Sequence, residues 1–438
     1  MNISRKISNI HLLLILFILL AGFGLSRITR VFSQTPLKIY FPLVSRTGTV
    51  VVPPTDAAAA RITVPPGFAI RIFAQNIPGT PRFMAVGPDG WVYISLLNGG
   101  QIARLPDRNG DGIADGVEIV ANGLNGPHGL EWNSGWLYVA ENDRVERLRA
   151  SSGSPTLDQR ELITANLPGG GGHSTRTLHF GPDGLLYISA GSSCNVCAET
   201  DPRRAAILRF NPNGTIPPGN PFANDANPQK QPVWAWGLRN SVDFLWTPTG
   251  QMWANLNSRD LLGDTIPPEP VVIQVQGGKS HGWPYCYTAG QGLNSPLQAE
   301  VLDTQSGLAL PPGFDCSLTH VQPALFTIQA HSAPLGMALG AKAAFPAAFQ
   351  KDLYVALHGS WNTTPASYRD CKVEQIVITG GGPVSAQDFA TGWRGPGVSC
   401  GDPASYGRPA DVIFGPDGVL YISDDAGGRV YRVVYVGH

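Results

Sequence analysis

Charge is scarce in this sequence. Asp, Glu, Lys and Arg make up 14% of it, and 31 basic against 32 acidic side chains leave a formal net charge of −1. A chain this neutral has no broad basic face for phosphates, which excludes a nucleic-acid binder. Long apolar runs are scarce too. Arg5 and Lys6 precede one from Leu12 to Leu25, the length of a signal-peptide core and short for a membrane span. No cysteine follows it, which argues against a lipid anchor. Residues 1–34 read as a signal peptide, with an uncleaved anchor as the alternative. Residues 35–60, with Pro53-Pro54 and Ala57 to Ala60, read as a Pro/Ala-rich tether. The expected location is secreted or periplasmic, with no membrane span after cleavage.

Cysteines number six. Cys194-Asn195-Val196-Cys197 is followed by Ala198 and not His, so it is no c-type haem site. It has no second close pair, so it is no zinc ribbon. An even count in an exported chain suggests disulfides, and sequence neighbours pair best as Cys194–Cys197, Cys286–Cys316 and Cys371–Cys400. Ser360 lacks the Gly-x-Ser-x-Gly elbow of a hydrolase nucleophile.

What the chain has in quantity is turn residues, with 52 Gly and 38 Pro, and aromatics, with 10 Trp and 12 Tyr. Together they suggest strands joined by tight turns. Gly87-Pro88-Asp89-Gly90 separates two short apolar runs. Gly181-Pro182-Asp183-Gly184 and Gly415-Pro416-Asp417-Gly418 do the same. Looser copies start near 133, 247 and 349. Pro presets φ at the first turn position, and Asp-Gly closes the reversal. The closest spacings, about 46 and 48 residues, fit a four-stranded propeller blade, and the longer ones fit blades with insertions. The expected fold is all-β: a six-bladed β-propeller of four-stranded blades over residues 61–438. Unrelated hairpins in a β-sandwich are the alternative.

The first strand of each blade lines the axis, so the segments entering those strands converge at one mouth. Those segments carry Arg82, His128, His173 with Arg176, Arg239-Asn240, His331 and Arg408. His173 and Arg239 each lie eight residues before their turns, in matching places of adjacent blades. Such a mouth is polar and cationic and suits a planar anion. His358-Gly359-Ser360-Trp361-Asn362 follows an apolar strand, where Trp361 can stack on a flat ring. The polar run Asn255 to Asp264 reads as a ligand-contacting or solvated loop. Separately, Asp107, Asn109, Asp111, Ile113, Asp115 and Glu118 fill the ligand positions of a twelve-residue calcium loop, with Gly112 at its sharp turn.

Taken together these motifs resemble the glucose/sorbosone dehydrogenase family, over about residues 60 to 436. The carriers are His173 before its turn, Gly237-Leu238-Arg239-Asn240, Gly278-Lys279-Ser280-His281-Gly282-Trp283-Pro284, His358 to Asn362, and Gly407-Arg408-Pro409-Ala410-Asp411-Val412. The Ser193 to Cys197 string places the chain nearer the sorbosone and pyranose dehydrogenase branch. The resemblance implies a six-bladed quinoprotein that oxidises a CH-OH group of a sugar or sugar aldehyde with pyrroloquinoline quinone (PQQ), with Ca²⁺ at the cofactor and an external electron acceptor. It implies His173 as the base, Arg239 as its electrophilic partner, and Arg82, Asn240, His358, Trp361 and Arg408 as cofactor contacts. Three positions depart from the family pattern: Gly172 where an acid precedes the base, Ala410 where a second arginine stands, and no lysine near His358. A calcium-dependent propeller hydrolase of lactonase type and a non-catalytic carbohydrate-binding propeller are the alternatives.

Overall fold

The Gly-Pro-Asp-Gly turns build the molecule as their chemistry suggests. In the first, Gly87 N–H donates to Trp91 O at 2.8 Å and Gly90 N–H to Gly87 O at 2.9 Å. Asp89 accepts from Trp91 N–H and from the Tyr93 hydroxyl, at 3.2 and 2.8 Å. A Cβ on Gly87 would lie 2.4 Å from the Tyr93 ring, so the turn closes only with glycine there. Asp183 repeats the contact with Tyr187 at 2.9 Å.

The computed structural model describes residues 56–340 and 344–437. The expected signal peptide and nearly all of the expected tether lie outside them. Six antiparallel blade sheets follow one another along the chain, and a separate two-stranded sheet pairs Cys286–Tyr287 with Val301–Leu302. The first strands of the blades are Pro81–Val86, Leu130–Asn133, Leu178–Phe180, Phe244–Trp246, Pro334–Leu339 and Pro409–Phe414, and each enters one of the six hairpins. Five sheets have four strands. Blade four has a fifth, the short Gly292–Leu293, paired to Phe326–Ile328. Blade six takes its outer strand, Phe68–Ala74, from the N-terminal side, with Phe68 opposite Tyr435. The propeller is thereby closed by both ends of the described chain. Packed structure begins before residue 61: Ala59 is 2% exposed, in one apolar cluster with Phe68 and Tyr431.

The second strand of each blade is buried on both faces, which explains its continuous apolar character. Leu186 and Ile188 pack toward blade two with Tyr138 and Val145. Tyr187, between them, packs toward blade four with Phe244 and Met252. Side chains alternate across a strand, so one strand serves two interfaces. Six apolar clusters, one between each pair of neighbouring blades, form the core. A seventh, Phe83, Val242, Leu335 and Ala410, plugs the axis.

Below that plug the inner strands are tied by carboxylates. Met84 N–H donates to Asp411 at 2.8 Å, Phe180 N–H to Glu131 at 3.0 Å, and Met337 N–H to Asp243 at 2.8 Å. Blades six, two and four thus each satisfy an inner-strand donor of the next blade. His179 bridges Glu131 and Asp243, 2.9 Å from each. Burial disfavours its charged form, but hydrogen bonds to Asp243 and Glu131 outweigh burial and raise it to about 10. An imidazolium stabilised this way supports folding fully below its unfolded value of roughly 6.5 and loses that support as pH rises through 10. His179→Gln should lower stability in urea titration at pH 6 by about 3 kcal/mol, because it strips the cation from two carboxylates. The gap to the wild type should shrink steadily between pH 7 and 10.

Candidate functional site

Above the plug an open cavity of about 450 Å³ lies over blades three to six. Its walls carry His173, Arg239, Asn240, Asn257, Asp260, Glu269, His331, His358, Trp361 and Arg408. Of the mouth residues read from sequence, His173, Arg239, Asn240, His331 and Arg408 come together here, joined by His358 and Trp361. The polar loop from Asn255 also lines it.

His173 Nδ1 lies 2.9 Å from Ser192 Oγ and 3.1 Å from Ser192 O. Ser192 Oγ spends its only proton on Cys194 O at 2.7 Å. It therefore accepts from Nδ1–H, and Nε2 holds the lone pair, with no partner among the described residues. Burial, reinforced by the Arg239 charge, pushes His173 down to about 4, so the ring is neutral at pH 7. Gly191 makes room for it: a Cβ there would sit 2.5 Å from His173 Cβ and 2.8 Å from Asn240 Oδ1. Arg176, fully buried, carries the loop by donating to the carbonyls of Pro168, His173 and Thr175.

Arg239 is 3% exposed and all five of its N–H groups are engaged. Nε donates to Asn195 O, Nη1 to Asn257 O and Ser258 O, and Nη2 to Asn195 Oδ1 and Asp260, over 2.8–3.1 Å. It offers a ligand its charge and no free donor. Arg408 is the reverse case. Its Nε donates to His358 O at 2.9 Å, and both terminal nitrogens are without a hydrogen-bond partner among the described residues. Trp361, 70% exposed, stands at the mouth. Asn362 beside it donates to Asp260 at 2.6 Å. Glu269 also lines the cavity, and burial pushes its carboxyl up to about 8.

Two mouth residues, one of them the expected contact Arg82, stand one layer back. Arg82 does not line the cavity; it pairs with Asp425 at 2.5 Å, with side chains 11% and 8% exposed. His128 is fully buried against Phe83 with ring centres 4.1 Å apart, and burial pushes it well below its usual value. Asp425 is the residue that sequence reasoning missed. It accepts from Arg82 and from His358 Nε2 at 3.0 Å, which hold it well below the carboxylate range although burial opposes ionisation. Its signal was its place just beyond the last inner hairpin, outside the segments searched.

The departures from the family pattern have structural counterparts. Ala410 is fully buried in the axial plug. Gly172 donates its N–H to Ser193 O at 2.8 Å, and Ser192 orients the histidine where an acid is missing. All three disulfides pair as expected: Cys194–Cys197, Cys286–Cys316 and Cys371–Cys400.

The loop read as a calcium site is laced by its own hydrogen bonds. Glu118 sits opposite Arg104 on the next strand and bonds it at 2.6 and 3.0 Å, and also pairs with Arg108. Asp107 accepts from the N–H groups of Gly110, Asp111 and Gly112, Asp111 from Ile113 N–H, and Asp115 from Arg108 N–H. Asn109 bonds Asp111, and the Ile113 side chain is exposed. Side-chain oxygens of the loop accept from its own backbone, and Glu118 from the two arginines. Among the described residues the only clusters of three potential metal ligands each contain a disulfide, whose sulfurs are spent.

The sequence matches the family model described as TrAA12-like over residues 62–436. It is similar to an uncharacterized protein of Borreliella burgdorferi, 26% identical over 416 residues, covering 91% of this chain and 98% of that one. It is similar to a pyrroloquinoline quinone-dependent pyranose dehydrogenase of Coprinopsis cinerea, 27% identical over 308 residues. That match covers 60% of this chain but 39% of the fungal protein, a longer molecule. Among solved structures, the holo form of the pyranose dehydrogenase PQQ domain from Coprinopsis cinerea superposes with a TM-score of 0.67 at 20% identity, covering 87% of this chain and 98% of that one. Likeness at that identity establishes the shared six-bladed fold.

Asp425→Asn should leave Arg82 and its neighbours without their anion. We expect a loss of about 3 kcal/mol in urea titration, since one partner of a buried ion pair is removed. The same substitution at exposed Asp89 should cost far less.

Proposed function

The chain belongs to the TrAA12-like family, and from that premise we propose that it is a quinoprotein oxidoreductase, oxidising a CH-OH group of a sugar or sugar aldehyde with PQQ. The observation that carries the reading is His173: a neutral imidazole with Nδ1 tied down and Nε2 free, on the wall of a cavity flanked by guanidinium groups.

The residues present fit such a cofactor. PQQ is flat and polyanionic. The cavity offers the two free terminal nitrogens of Arg408 for a carboxylate, the charge of Arg239, the Asn240 amide, and the exposed Trp361 ring for a planar face. Once bound, PQQ supplies an electrophilic quinone carbonyl that accepts a hydride. The protein's part is to hold the sugar hydroxyl against His173. Nε2 takes the hydroxyl proton as the C–H hydride departs, and Ser192 keeps Nδ1 protonated so that Nε2 remains the basic atom. The fixed charge of Arg239 stabilises negative charge developing beside it without moving. Asp425 orients His358 through Nε2 and neutralises Arg82, and Asp260 pairs with Arg239, so the guanidinium facing a ligand without a hydrogen-bonded anion is that of Arg408.

Calcium belongs to the same proposal. The wall carboxyls are Glu269 and Asp260, and a cation there would have to hold Glu269 ionised against the burial that pushes it up to about 8. Electrons would pass to an external acceptor. Three disulfides support an exported location, and no helix among the described residues is long and apolar enough to cross a membrane.

Purified protein reconstituted with PQQ and Ca²⁺ should reduce a dye with aldoses or osones. His173→Ala should lower kcat by about 10²–10⁴-fold while PQQ still titrates to saturation. The acid limb of wild-type kcat/KM should fall near pH 4, because protonation of His173 removes the base. Activity that survives His173→Ala would place the base elsewhere. In a separate titration, Arg408→Ala should weaken PQQ binding by roughly 10- to 100-fold, the worth of a charged hydrogen-bonded contact.

A further inference from the structure

Both polar groups assigned above are held by one short loop. Ser192 Oγ, which accepts from His173, donates to Cys194 O. Asn195 O accepts from Arg239 Nε at 2.9 Å and from Trp283 Nε1 at 3.1 Å. Asn195 Oδ1 accepts from Arg239 Nη2 at 2.9 Å and from Asp260 N–H at 2.8 Å, and Asn195 Nδ2 donates to Asp260 O at 3.0 Å. Two consecutive residues thus meet His173 through one hydroxyl and meet Arg239 directly. Residues 193–197 are all only partly buried, so no apolar core fixes them. The Cys194–Cys197 disulfide closes the chain around Asn195, and Glu199 fastens its start by accepting from Ser193 N–H and Oγ at 2.5 and 2.9 Å.

We propose that the Cys194–Cys197 disulfide and Asn195 are the positioning device of this active site, fixing the tautomer of His173 and the placement of Arg239 through one covalently closed loop. This deepens the reading of His173 as the base and rests on it. While Cys194 O takes the Ser192 proton, Ser192 can only accept from Nδ1, and Nε2 stays bare. If Cys194 O moves away, only the Ser192 carbonyl, 3.1 Å from Nδ1, still requires Nδ1–H, and the Ser192 hydroxyl is free to compete as a donor to Nδ1, so that a fraction of the rings carry the proton on Nε2, where it blocks base function. The same movement takes Asn195 from Arg239 and leaves two guanidinium donors unmet in a buried site. The charged groups that act on His173 are Arg239 and Arg176 on one side of the balance and Asp260 on the other. The loop holds two of these three.

The test compares wild type, Cys194→Ser/Cys197→Ser and Asn195→Ala as full-length protein. In the apoprotein, nitrogen-15 histidine NMR reads the tautomer and titration of His173, assigned with His173→Asn. Wild type should show Nδ1–H only. Both variants should show a measurable Nε2–H fraction and a His173 titration displaced upward from about 4. With PQQ, kcat should fall by about 10²-fold, as for a misplaced reacting group, while KM changes little. The acid limb of kcat/KM should move with the His173 titration. The loop is short, so melting should shift by only a few degrees. Variants with a wild-type tautomer, titration and kcat overturn the proposal. Should the double serine variant fail to fold, Asn195→Ala and dithiol reduction of folded wild type make the same comparison. A tautomer change in protein that turns over no sugar upholds the positioning role and refutes the dehydrogenase reading.

Discussion

A propeller must satisfy inner strands that have no neighbour on the axial side. Each first strand faces the axis, and its backbone donors there cannot join a sheet. In this chain the solution is a carboxylate from the blade before: Asp411 for Met84, Glu131 for Phe180, Asp243 for Met337. An unpaired buried N–H is costly, so these three contacts fix how neighbouring blades stand to one another. His179 makes the arrangement tolerable by placing one cation between two of the anions. The mouth above inherits its geometry from this ring. The acids are spent on structure, below a plug of Phe83, Val242, Leu335 and Ala410, and so do not build a central metal site facing the cavity.

The cavity is consequently not centred on the axis. Blades one and two turn their mouth residues inward. His128 stacks on Phe83, and Arg82 is neutralised by Asp425. Blades three to six keep theirs open. The division follows from hydrogen bonding: Asp425 bonds the Arg82 guanidinium and holds it in the framework, whereas the terminal nitrogens of Arg408 have no such partner among the described residues and remain available to a ligand. Arg82 and Arg408 are identical in type and similar in place along their blades, and differ in this respect.

The hairpins were readable because their determinants are local. Asp89 and Tyr93 are four residues apart, and the turn glycine is required by that contact alone. The disulfides were readable because each joins cysteines adjacent in the list of six. The calcium-type loop shows what local reading leaves out. All its ligand positions are filled, yet Glu118 starts a strand whose register puts it opposite Arg104, and the cross-strand pair takes the carboxylate. A motif read along the chain does not report what lies across the sheet.

The sequence by itself determined that six strand-turn-strand units would form, that three disulfides would close, and that Arg, His and Asn would head the inner strands. Turn chemistry and alternation act within about ten residues, and six copies leave little choice of architecture. Tertiary structure alone decided which heads face a ligand. His173 meets Ser192 across 19 residues, Arg239 meets Asn195 across 44, and Arg82 meets Asp425 across 343. Those partners are selected by ring closure, which brings distant loops to one face, and no spacing along the chain encodes it.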